Sequence, residues 1–169
     1  MAARPIRTDA RVRPWTDDYA SLFQILRQRP AQIDSAFEEA QFEISRNHGQ
    51  HGDWDGAIDT FRHALQSHPD SSDLQNNLAF LLATCPDTRA RNGAQAVMHD
   101  ERACDLTDYK QATMVSTLAI AYAEAGRIED ANLTIEKACL LASNSGDQEL
   151  LKRDQELLES YRNRQPSPK

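Results

Sequence analysis

The chain has 169 residues, 40% of them apolar but only 7% aromatic, and a net charge of −7. That length suits one domain that buries roughly 70% of its unfolded surface, and a core short of aromatic and β-branched residues favours packed helices over a β-sandwich. The acidic balance argues against a nucleic-acid binder, because phosphate contact needs a basic surface.

Cys85, Cys104 and Cys139 are an odd set with no CxxC pair. They disfavour a disulfide framework or a zinc ribbon and point to a reducing, cytoplasmic setting. No apolar run approaches the ~20 residues that span a bilayer, so no direct membrane span is expected. The start, "MAARPIRTDARVRP", has basic residues with no apolar stretch behind them, unlike a secretory signal.

Residues 1–14 carry Arg4, Arg7, Arg11 and Arg13 against Asp9 alone and read as a basic, solvated leader. Residues 15–34 are expected to hold a short helix and a linker. Thr16 can cap "TDDYASLFQILRQ", Tyr19, Leu22, Phe23 and Leu26 share one face, and Pro30 is expected to stop it. The next helix is expected to start at Ser35, which has capping-box spacing to Glu38, and to run with Phe37, Ala40 and Ile44 on one stripe. "HGQHGD" reads as a turn. Beyond it Ala57, Ile58, Phe61, Ala64 and Leu65 follow the rhythm of an amphipathic helix that Pro69 ends.

The same phrase returns. "AGRIEDANLTIEKACLLA" lies over "HGDWDGAIDTFRHALQSH" without a gap, with Gly126 on Gly52, Ala131 on Ala57, Ile135 on Phe61 and Cys139 on Leu65. "GAQAVMHDERACDL" supplies Ala96, Ala103 and Cys104 in matching columns. Each copy follows a helix of its own, in which Ile44, Leu78 and Leu118 align, then Ser45, Ala79 and Ala119. The unit is a helix–turn–helix pair. Ile44 to Leu78 spans 34 residues; Leu78 to Leu118 spans 40, the extra residues lying mainly in "TCPDTRARNG". Asn92 and Gln95 there have capping-box spacing.

Two departures stand out. Ser45 and His48 are unusual in the first copy, and Asp100 sits where Phe61 and Ile135 pack, so the first copy and the middle second helix fit the pattern least. After Gly146, "DQELLKRDQELLESYRNR" carries Leu150, Leu151, Leu157, Leu158 and Tyr161 on one stripe, as a helix covering the end of a stack should. "QPSPK" reads as a disordered tail.

The string from "GDWDGAIDTFRHALQSHP" through "NNLAFLLATCP", "RNGAQAV" and "TLAIAYAEAGRIEDA" resembles tetratricopeptide repeats over residues 38–142, the last two like those of bacterial repeat proteins with a widened turn. The resemblance implies an all-α, right-handed α-solenoid. It would hold about three helix pairs (38–71, 72–110 and 112–145, within 35–145), an N-terminal helix and a capping helix over 147–163, with 164–169 as tail.

Chemistry is sparse. His48, His51, Asp53 and Asp55 offer metal-ligand or turn-forming atoms, and the histidine-free repeat partner "YAEAGRIED" favours turn chemistry. His63, His68 and His99 fall on exposed or edge positions. Cys104 and Cys139 occupy packing columns, whereas Cys85, in the "TCPD" turn, is expected to be the more exposed thiol. Asn132 heads an "NLT" sequon inside a helix. No nucleophile triad or phosphate loop emerges, so neither an enzyme nor a cofactor is expected.

What remains is a groove lined by first helices, which the resemblance implies. Glu39, Phe42, Glu43 and Arg46, then Asp73, Asn76, Asn77 and Phe80, then Thr113, Ser116, Thr117 and Ile120 would face it. The partner-binding candidates are Phe42, Arg46, Asn76, Asn77, Phe80, Thr113, Thr117 and Ile120, for a protein or peptide partner; plain solvated helix faces are the other reading. The carboxylate clamp of chaperone-binding repeat domains is disfavoured, since only Asn77 fits it. Arg89 and Arg91 offer a second contact.

Residues 13–27, "RPWTDDYASLFQILR", resemble the closing segment of bacterial spermidine-synthase-like membrane proteins. That resemblance implies an alternative, an appended regulatory or oligomerising module of such a protein, membrane-associated through its parent.

Overall fold

The structure, a computed structural model, describes residues 30–164. They hold seven helices: α1 (Pro30–Gln50), α2 (Trp54–Ser67), α3 (Ser72–Thr84), α4 (Gly93–Leu106), α5 (Ala112–Glu124), α6 (Ile128–Ser145) and α7 (Gln148–Arg164). The chain from Glu38 onward is one compact unit, and the packing that follows is that unit's own. The basic leader, the helix expected over 16–28, the synthase-like stretch and the tail after residue 164 lie outside the described residues.

α1 begins at Pro30, ahead of Ser35 where its start was expected, while the helix that Pro30 was expected to end lies outside the described residues. The proline's missing N–H is one that a first turn leaves unbonded, and its φ is already helical. The expected capping box is therefore internal to α1. Glu38 serves a different cap: its carboxylate accepts from the Ser71 hydroxyl, which in turn accepts from Leu74 N at 3.1 Å to cap α3.

The repeated glycines have a common cause. Gly52 and Gly126 both take left-handed backbone, at φ +74° and +77°, in the turns joining α1 to α2 and α5 to α6. Residues with a side chain rarely adopt that conformation.

Three helix–turn–helix pairs follow one another; from α2 to α7 each helix packs on its neighbour in sequence, with α3 also against α5 and α7 also against the edge of α5. Small residues sit at the crossings: Ala57, Ala79, Ala96, Ala103, Ala119, Ala131 and Ala138 are all fully buried. Ser45 takes such a place on α1, and its hydroxyl donates to Ala57 O at 3.2 Å. An apolar cluster joins α4 to α7 through Cys104, Val115, Leu118, Ile135 and Tyr161, with Leu157 and Leu158 packed against it.

The widened turn is folded in. Asn92 N–H donates to Leu82 O at 2.9 Å, and Cys85, at the end of α3, is 1% exposed. The expectation of an exposed Cys85 is thus corrected: the turn doubles back and covers it. Gly93 stands so close to the α5–α6 turn that a β carbon there would lie 2.5 Å from Ala125 N.

α4 forms despite Asp100. That residue holds the core position predicted by its column and is fully buried, with neither carboxylate oxygen hydrogen-bonded. α7 carries a second fully buried carboxylate, Asp154, on the apolar stripe of Leu150 and Tyr161, with the Arg153 guanidinium 3.6 Å away.

Candidate functional site

The histidine-rich turn is local chemistry. The His48 ring donates to Asp53 Oδ2 at 2.7 Å, and Asp53 Oδ1 accepts from Gly56 N at 3.0 Å, capping α2. The Gly56 N–H first, then His48, hold the Asp53 carboxyl below its ordinary range. His51 Nδ1 donates to Asn47 O at 2.8 Å. Nδ1 of His48 and His51 and both Asp53 carboxylate oxygens are thus used in closing the α1–α2 junction.

The other polar candidates are similarly placed. Half-buried His99 hydrogen-bonds Gln75 Oε1 through Nδ1 at 2.7 Å, and burial lowers its pKa. Asn132 is buried and donates to Ile128 O at 3.1 Å. Burial pushes the Cys104 thiol up to about 12 and also raises Cys85 and Cys139, which suppresses the thiolate a nucleophile would need. Arg89 closes on Asp87 at 2.7 Å, drawing that carboxyl down to about 2, while Arg91 reaches Glu124 at 3.4 Å.

An apolar pocket opens between α1, α2 and α3. Its volume is about 330 Å³, and its lining includes Phe42, Arg46, Asn77 and Phe80. On α1, Phe42, Arg46 and Gly49 recur at helical spacing; on α3, Asn77, Phe80 and Leu81 do. Gly49 has no side chain for a physical reason: a β carbon would lie 2.8 Å from the Trp54 ring, which it admits beneath α1. Trp54, Phe61 and Leu81 complete the apolar lining. Phe42 and Phe80 remain 46% and 44% exposed at its mouth. Arg46 is held by Glu43 at 2.5 Å.

Four of the eight sequence-derived candidates therefore converge, and four do not. Asn76 shares α3 but lies outside the pocket, its Oδ1 shut off from solvent without a partner. Thr113 lines a separate cavity of about 470 Å³ with Asp147, Leu150, Lys152, Arg153 and Glu156, against α7. Thr117 is only 5% exposed and donates to Thr113 O at 3.1 Å, so it is not open to a partner as helical register suggested. Ile120 is half-buried. Ser116 is fully buried next to Asp154; burial raises that carboxyl, and Ser116 and Arg153 partly offset the rise.

Sequence reasoning missed Trp54, Phe61 and Leu81 as pocket walls and Asp154 as a core residue. The last had a signal: it falls on the stripe of Leu150, Leu157, Leu158 and Tyr161, at helical spacing.

No protein-family model and no curated protein matches the chain. Solved structures do resemble it. PcrH in complex with the chaperone-binding region of PopD is 19% identical over 75% of this chain and 91% of its own, with TM-score 0.59. The first TPR domain of human RPAP3 is 20% identical over 76% and 98%, with TM-score 0.53. An O-GlcNAc transferase mutant of Thermobaculum terrenum is 23% identical over 64% of this chain, with TM-score 0.53, and this chain spans only 20% of it. At these identities the likeness is one of fold, and the fold is a tetratricopeptide-like helical repeat.

Proposed function

We propose that the chain is a non-enzymatic protein–protein interaction module that binds a peptide or protein segment in the pocket of Phe42, Arg46, Asn77 and Phe80. The observation that carries this is the meeting of two half-exposed phenylalanines from successive first helices over an apolar floor. A ligand side chain seated there removes apolar area from water at about 25 cal/mol per Å². The half-buried Asn77 amide offers both a donor and an acceptor to a peptide backbone. PcrH, of similar fold, holds a chaperone-binding segment of PopD, which is consistent with peptide capture by such a scaffold.

A carboxylate-clamp ligand is disfavoured, because Arg46, the cation at the pocket, is already engaged by Glu43. The alternative of a module appended to a synthase-like membrane protein rests on residues outside the described ones, and no described feature favours it. No described helix is long and apolar enough to cross a membrane.

The test is an affinity pull-down from the source cell with the native chain and a folded Asn77→Ala/Phe80→Ala variant. A partner retained by the first and lost by the second is the expected result; equal recovery of every partner would end the proposal.

A further inference from the structure

We infer that the segment this pocket takes has a bulky apolar side chain flanked by lysine or arginine. The inference rests on the groove proposed above and adds the chemistry of its ligand. Aromatic and aliphatic walls with 46% and 44% of Phe42 and Phe80 still exposed call for an apolar anchor.

Charge selects what surrounds the anchor. Glu39 lies one turn before Phe42 on α1, and Asp73 one turn before Asn77 on α3, and both are exposed. Among the described residues the ion-paired carboxylates nearest them in sequence are Glu43 and Asp70, not Glu39 or Asp73. Arg46, the one cation among the described residues that line the pocket, is neutralised by Glu43 at 2.5 Å with both side chains about half exposed. Among the described residues these two carboxylates thus have no ion-pair partner, and they stand within a helical turn of the pocket residues, inside the range over which screened charges still act. An acidic segment meets repulsion there, and a basic one does not.

The surface potential of the whole chain, with its net charge of −7, would attract any cationic peptide. The discriminating experiment therefore varies anchor and flanks separately. Short labelled peptides with a central leucine or alanine, flanked by lysines, glutamines or glutamates, are titrated against the full chain by fluorescence anisotropy at low and high salt. The expected result is tightest binding for leucine with lysines, about tenfold weaker for glutamine flanks and weaker again for glutamate, the differences shrinking with salt. Replacing leucine by alanine, or Phe80→Ala in the protein, weakens binding at least tenfold. A Glu39→Lys/Asp73→Lys variant reverses the flank preference.

Equal binding of lysine- and glutamate-flanked leucine peptides, lost on Phe80→Ala, overturns the charge inference and leaves the pocket as a peptide site. Binding that follows charge but ignores both the anchor and Phe80→Ala overturns the inference and the pocket proposal together. So does the failure of every leucine peptide to bind.

Discussion

Asp100 is a carboxylic acid in a place that Phe61 and Ile135 fill in the neighbouring pairs, and its burial raises its pKa from 3.8 to about 8. At neutral pH it folds protonated. The unfolded chain ionises it near pH 4, so between about pH 4 and 8 the unfolded state holds fewer protons there, and folding stability falls as pH rises. The slope reaches at most about 1.4 kcal/mol per pH unit for one such group. Asp154, also raised by burial, adds to this slope, while His99, whose pKa is lowered, opposes it on passing through the ordinary histidine range. Urea unfolding at pH 5 and pH 8 measures the effect. The native chain should be less stable at pH 8, and Asp100→Asn should flatten the dependence and be the more stable protein at pH 8. An unchanged slope in that variant would mean that Asp100 ionises freely in the fold. The core position of Asp100 was readable from its repeat column. Its protonation was not, because that depends on the absence of any partner across the helix interface.

Helix ends were legible where a cap or a turn residue marks them. Asn92 accepts from Gln95 N at 3.0 Å, half of the predicted capping box. The other half is missing because Asn92 N–H is used on Leu82 O and the Gln95 side chain accepts from Arg62 at 3.1 Å. The start of α1 at Pro30 instead of Ser35 was not legible, since a proline suits a helix start as well as a stop, and local sequence does not choose between them. Gly93 offers a test whose sign separates two influences on α4. Helix propensity alone favours Gly93→Ala by roughly 0.5–1 kcal/mol. The contact with the α5–α6 turn opposes it, since the new β carbon would meet the Ala125 backbone at 2.5 Å, and neither segment ends in a flexible side chain that can swing away. Overpacking of this kind costs about 1–3 kcal/mol. A net loss of stability in thermal or denaturant melts is expected. A gain would show that the α4 start and the α5–α6 turn separate readily.

Among the described residues, burial is graded. Between Ser35 and Gln50 of α1 the one buried residue is Ser45, whereas α5 buries Met114 through Ala119 and Ala121. In a stack of repeats each pair is stabilised chiefly by its neighbours, so a thinly covered end opens first. Hydrogen–deuterium exchange should therefore be fastest in α1 and slowest in α5 and α6; uniform protection from α1 to α7 would contradict this. The same gradient bears on binding, because the pocket draws Phe42 and Arg46 from the less protected helix. A bound segment is expected to slow exchange in α1 most.

What the sequence determined by itself is the succession of helix pairs, the shared turn glycines Gly52 and Gly126, and the alanine columns at the crossings. These follow from the 3.6-residue period and from backbone constraints that act within a few residues. Which candidates would meet was decided only by tertiary packing. Phe42, Arg46, Asn77 and Phe80 share a pocket with Trp54 beneath them, while Thr117 is buried and Thr113 faces α7. Cys85 is covered by a turn that looked open. Helical register states which way a side chain leaves its own helix. Whether it ends in water, in a pocket or in the core depends on what the rest of the chain brings against it, and that contact is non-local.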